Sequence, residues 1–165
     1  IPDIVTLGKA LGGGIMPIAA VIARHDLDVA GDFAIGHYTH EKNPVTARAA
    51  LTTLDIIADE NLYERAAELG TYAIDRLSDL IGHHPNVGKI SGRGLMIGVD
   101  LVVDRDNREP ATELAEKVYY CCLENGLSFK ISAGSVLTLS PPLTISRSDL
   151  ERALSIVAQA LADMS

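Results

Sequence analysis

The chain has 165 residues, 47% of them apolar, which is enough for one ordinary hydrophobic core. A formal charge of −8 with no basic cluster argues against a nucleic-acid surface. No apolar run approaches the ~20 residues of a membrane-spanning helix, and no secretory pattern opens the sequence.

Ile4, Val5 and Leu7 read as a short buried strand that Gly8 ends. Lys9 follows at the mouth of that strand, just before Gly12-Gly13-Gly14. Two readings of this lysine stand side by side. Desolvation at such a place would lower its pKa and free the lone pair that a Schiff-base amine needs; alternatively, the side chain snorkels to water. The three glycines let backbone pass close to a ligand or neighbouring chain, or simply form a loop. They are no phosphate cradle of the Gly-Lys-Ser/Thr kind, since that order is absent. Ala19 to Ile22 reads as a second buried strand, and Asp26 and Asp28 suit a turn. After a loop from Gly36 to Asn43, Pro44 opens a helix with apolar positions Ala47, Ala50, Leu51, Leu54, Ile57 and Ala58. A second helical stripe runs through Leu62, Ala66, Leu69, Ala73, Leu77, Leu80 and Ile81, stopped by Gly82 and Pro85.

The hydrophobic period then changes. Val87–Ile90 and Met96–Val103 read as strands, with Val99, Leu101 and Val103 on one face. Pro110 opens a helix whose inner face carries Leu114, Val118 and Cys121, closed near Gly126. Leu127–Ile131 and Val136–Leu139 are short strands around the turn Ser132-Ala133-Gly134. Ser146 with Asp149 is a capping-box pattern for a last helix lined by Leu150, Ala153, Leu154, Val157 and Leu161. Cys121 and Cys122 diverge by about 100° on a helix, so they read as two buried, reduced thiols of a cytoplasmic protein. His37 and His40 lack a third ligand, so no metal site is expected.

The run Pro2 to Val21, PDIVTLGKALGGGIMPIAAV, resembles the lysine segment of the class III aminotransferases. Three further motifs follow in order. Gly36 to Pro44, GHYTHEKNP, resembles the segment between the lysine loop and the next helix. Lys89 to Asp100, KISGRGLMIGVD, resembles the family's Arg-Gly-x-Gly-Leu strand motif, and Ser140 to Ser146, SPPLTIS, is similar to its Pro-Pro-Leu strand exit. The last 60 or so residues are also similar to dialkylglycine decarboxylase, a member of that family.

The resemblance implies an α/β chain: a fragment of a fold-type I transferase dependent on pyridoxal phosphate. Residues 1–58 would be the end of the large cofactor domain, which carries a mostly parallel sheet, and 59–165 a small C-terminal α+β domain. Lys9 would form the Schiff base with pyridoxal 5'-phosphate and then shuttle protons. Thr39 would donate its hydroxyl to the cofactor phosphate of the partner subunit in a homodimer or tetramer. The implied activity is amino transfer between a small amine or amino acid and an oxo acid. Decarboxylation, racemisation or lyase chemistry on the same cofactor remains open, as does a non-catalytic dimerisation role for the piece alone. The family's phosphate-binding turn, ring-stacking residue and ring-nitrogen aspartate precede this segment, so the chain is expected to be part of a longer enzyme and inactive by itself. The family's carboxylate-gripping arginine is replaced by Thr138, which cannot supply a charged fork. Arg93 is read chiefly as the partner of an acidic neighbour, secondarily as a substrate contact.

Overall fold

The computed structural model describes residues 1–33, 36 and 38–164. The chain divides into two compact units, Ile1–Asn61 and Leu62–Ser165. The first holds strands β1 (Ile4–Leu7) and β2 (Ala20–Ala23), short 3-10 turns at Lys9–Gly12 and His25–Leu27, and helix α1 (Pro44–Asp59). Strands β1 and β2 pair antiparallel, with Val5 opposite Ile22 and Leu7 opposite Ala20. Arg24 ties the pair together, reaching Asp3 at 2.7 Å and forking onto Asp26. Helix α1 starts as its sequence dictates: Asn43 caps it by accepting the Val45 N–H at 2.9 Å, and Pro44 takes the first position, where a missing N–H costs nothing.

Both strands form where the sequence places them, but neither is buried. Ile4, Val21 and Ile22 are more than half exposed. An apolar run of this kind is built to be covered on both faces, and no described element covers either one. Helix α1 also departs from expectation. Its covered side is Thr46, Ala49, Ala50, Thr53 and Ile57, while Leu51 and Leu54 lie open. Thr53 sits beside Gly13, so the helix turns its small residues toward the glycine loop and its leucines outward.

The second unit is a four-stranded antiparallel sheet backed by three helices. Helix α2 (Leu62–Ile81) leads into β3 (Val87–Arg93), β4 (Met96–Leu101), helix α3 (Thr112–Glu124), β5 (Lys130–Ser132), β6 (Val136–Leu139) and helix α4 (Arg147–Ala162). The strand order is β3-β4-β6-β5. One sheet face meets the helices in a core that includes Leu77, Val99, Val118, Leu137 and Leu154, each with no exposed surface. Helix α4 buries Leu150, Leu154, Val157 and Leu161 as its stripe requires. Its Ser146 cap accepts the Asp149 N–H at 3.0 Å and also donates to the Asp149 carboxylate at 2.6 Å.

Several details differ from the sequence reading, among them β5, which starts at Lys130 rather than Leu127 and takes in Ser132. Val103 is 57% exposed and Val102 is buried instead. Strand alternation stops at Leu101, where Val102 bridges to Pro110 and packs over Gly88, the site of a bulge in β3. Helix α3 buries Ala115, Val118 and Cys122, leaving Leu114 and Cys121 half-buried. Leu80 lies at the rim of α2, 37% exposed. Arg105 closes the end of α2 by donating to the carbonyls of Gly82 and His84 at 2.7 and 2.6 Å. Among the described residues no helix is long and apolar enough to cross a membrane.

Candidate active site

Lys9 leaves β1 by an abrupt change of backbone. Gly8 is still extended, Lys9 has φ +50°, and a 3-10 turn then runs to Gly12. Two hydrogen bonds close the turn: Leu11 N–H to Gly8 O at 3.1 Å and Gly13 N–H to Ala10 O at 2.9 Å. A left-handed lysine costs roughly 1–3 kcal/mol, so the surroundings must hold it there. The glycines do much of that holding. A Cβ on Gly12 would lie 3.1 Å from Ile18 and 3.3 Å from Met16; one on Gly13, at φ +72°, would lie 3.1 Å from the Thr53 hydroxyl on α1. Two of the three glycines therefore seat the lysine loop against its own unit, whereas Gly14 borders open space.

The Lys9 side chain lines a cavity of about 540 Å³ with Pro17, Ile18 and Ala19. No hydrogen bond or ion pair engages its amine among the described residues. This uncommitted amine on an apolar-walled cavity suits covalent attachment of an aldehyde cofactor. The dry setting expected of it is not met within this chain. Lys9 is exposed, because the strands beside it lack cover.

Thr39 lies in a turn between the hydrogen bonds Glu41 N–H to Tyr38 O and Asn43 N–H to His40 O. It is exposed, lines a depression of about 360 Å³ with His40, Lys42 and Asn43, and its hydroxyl has no partner among the described residues. A free hydroxyl suits a phosphate oxygen, while the nearby Lys42 ammonium is paired with Glu41 of the same depression at 4.0 Å. Lys9 and Thr39 line separate depressions, and no contact joins them. His37 lies outside the described residues. Among those that are described, no group of three His, Cys, Asp or Glu could hold a metal.

In the second unit, Arg93 ends β3 beside a two-residue hairpin loop, Gly94-Leu95. It is exposed and, contrary to expectation, pairs with no carboxylate among the described residues. The nearest acidic strand residue, Asp100, is taken by Arg108 at 3.4 Å. The glycines here serve close packing: a Cβ on Gly70 of α2 would fall 2.1 Å from the Gly94 carbonyl oxygen. Thr138 is half-buried on β6 and donates to the Ser132 hydroxyl at 2.9 Å. Directly opposite Thr138 in the pairing of β5 with β6 stands Lys130. Nothing in the sequence singles out Lys130, because cross-strand register is set by long-range pairing. Cys122 is buried and Cys121 half-buried, both as free thiols.

A family model described as aminotransferase class-III matches residues 1–161. An (R)-1-hydroxy-2-aminoethylphosphonate ammonia-lyase of Vibrio splendidus is 45% identical over 98% of this chain and 34% of its own length. A leucine/methionine racemase of Thermococcus litoralis is 42% identical over 99% of this chain and 37% of its own length. Among solved structures, a Bacillus anthracis aminotransferase superimposes with a TM-score of 0.91 at 32% identity, over 98% of this chain and 39% of that one. The chain thus spans little more than a third of the length of the relatives it matches.

Proposed function

This chain belongs to the class III aminotransferase family, and on that premise we propose that the complete enzyme containing it transfers an amino group from a small amine or amino acid to an oxo acid. Pyridoxal phosphate is the cofactor of the family; when bound, it supplies an electrophilic aldehyde and a sink for the negative charge that develops at the substrate Cα. Lys9 holds that group covalently, and its Nζ, once released as a neutral amine, moves the proton at Cα. Thr39 donates its hydroxyl to a phosphate oxygen in the partner subunit of a homodimer, and the enzyme works in the cytoplasm. Residues 1–58 are the end of the large cofactor domain and 59–165 the small C-terminal domain. The observation that carries this reading is the Lys9 amine, unpaired on a cavity wall and fixed by a strained turn.

A second reading, elimination or racemisation on the same lysine, is favoured by the relatives whose names describe an ammonia-lyase and a racemase. One pair of assays separates the two. Amino transfer consumes an oxo acid, so omitting it should stop turnover after a single equivalent of amine. Continued ammonia release or loss of optical activity without an acceptor would establish the second reading instead. Under either, Lys9→Ala should lower turnover by about a thousandfold or more with the circular dichroism unchanged; a variant that keeps its activity rejects the site.

A further inference from the structure

Between helix α3 and the edge strand β5 lies an aromatic cluster, wholly within the unit Leu62–Ser165. Tyr119 and Tyr120 belong to α3, and Phe129 immediately precedes β5. Tyr119 meets each of the other two rings steeply: the centroids lie 5.4 Å apart in both pairs, at interplanar angles of 70° and 88°. Rings at such angles do not stack as one flat layer; they stand as the walls of a corner. Together with Ile131 they line a cavity of about 420 Å³. The turn between β5 and β6 bounds one end of it, where a Cβ on Gly134 would fall 3.3 Å from the Thr112 hydroxyl.

The fixed charge at this cavity is negative. Glu116 stands one helical turn before Tyr119 and Tyr120, so its carboxylate shares their side of α3 and lines the same cavity. Among the described residues no ion pair or hydrogen bond engages that carboxylate. Two lysines are near in sequence, and neither supplies a partner. Lys117 lines a separate depression with Asn86 and Glu113. Lys130 borders the cavity, but Phe129 and Ile131 pack toward the core, so strand alternation sends the Lys130 side chain to the other sheet face. An unpaired carboxylate beside electron-rich ring faces is a setting for a cation. A metal ion would need several oxygen ligands, whereas rings and an isoleucine suit a cation that carries carbon.

We infer that Glu116, Tyr119, Tyr120 and Phe129 form a binding site for a small organic cation, an ammonium bearing alkyl groups. The ring faces attract the spread positive charge, Glu116 neutralises it, and Ile131 covers an alkyl group. The cavity has the volume of a small-molecule site. Lys9 contributes nothing to it, so the site is independent of the amino-transfer reading.

Calorimetric titration of the complete enzyme with choline, and with the dimethylbutanol in which carbon replaces the quaternary nitrogen, tests the site. A quaternary nitrogen forms no imine, so the aldehyde cofactor does not capture the probe. Wild type should bind choline about tenfold more tightly than the neutral isostere. Tyr120→Ala and Glu116→Gln should each weaken choline by about fivefold, while Tyr120→Phe, which keeps the ring, should retain most of the affinity. Both side chains are exposed, so circular dichroism of these variants should match wild type. Sedimentation with phosphatidylcholine vesicles should leave the enzyme in the supernatant. Equal affinity for the neutral isostere, no choline binding at millimolar concentration, or an unchanged choline affinity in either Tyr120→Ala or Glu116→Gln overturns the inference. Co-sedimentation with the vesicles would assign the rings to a lipid headgroup and overturn it as well.

Discussion

At φ +50° a lysine Cβ crowds its own backbone, so a sequence does not place one there without support. The support is local and identifiable: two turn hydrogen bonds and two glycines seated against Ile18 and Thr53. The position of Lys9 could be read from its strand-then-glycine setting, but its strain could not, since φ depends on how the loop closes. A second residue with a consequence of its own is Cys122. Its thiol, ordinarily near 9.0, is pushed up to about 12, first by burial and then by its neighbour Cys121. The folded state therefore keeps the thiol neutral while the unfolded chain ionises. The stability this contributes is whole below pH 9.0 and is lost as pH rises from there toward about 12. Urea unfolding at about pH 8 and about pH 10.5 should show wild type losing more stability across the interval than Cys122→Ala. Equal losses would contradict the account.

At the scale of elements, legibility followed the packing partner. Helix α4 was readable because large residues recur on one side and the sheet it covers is present; Leu150, Leu154, Val157 and Leu161 are all buried. In α3 the same periodicity allows two adjacent faces, and the smaller one, Ala115 with Cys122, faces the sheet. Strands β1 and β2 were legible as strands, but their burial was not, because burial belongs to whatever covers them. Gly70 of α2 escapes sequence reading altogether. It stands mid-helix, where alanine is intrinsically better by about 1 kcal/mol, yet the hairpin turn at Gly94 passes so close that a Cβ would lie 2.1 Å from a carbonyl oxygen. Gly70→Ala should accordingly destabilise by about 1–3 kcal/mol despite its better propensity. Thr71→Ala, next along on the exposed side, should leave Tm nearly unchanged. A Gly70→Ala protein as stable as wild type would show that the helix and hairpin can separate without cost.

For the whole molecule, the two units differ in how far they satisfy themselves. Leu62–Ser165 buries a continuous core between sheet and helices, whereas Ile1–Asn61 leaves Ile4, Val21, Ile22, Leu51 and Leu54 in the open. Apolar surface of that extent, on both faces of the strand pair and on α1, marks surface made to be covered, in keeping with relatives nearly three times as long. The cofactor chemistry proposed here depends on that larger assembly and on one amine within this chain. Borohydride reduction of the complete enzyme with pyridoxal phosphate bound, followed by peptide mass mapping, tests it most directly. The predicted result is a single modified tryptic peptide that contains Lys9 uncleaved and ends at Arg24, with the pyridoxyl phosphate mass on Lys9. A tag on any other lysine, or none at all, would contradict it.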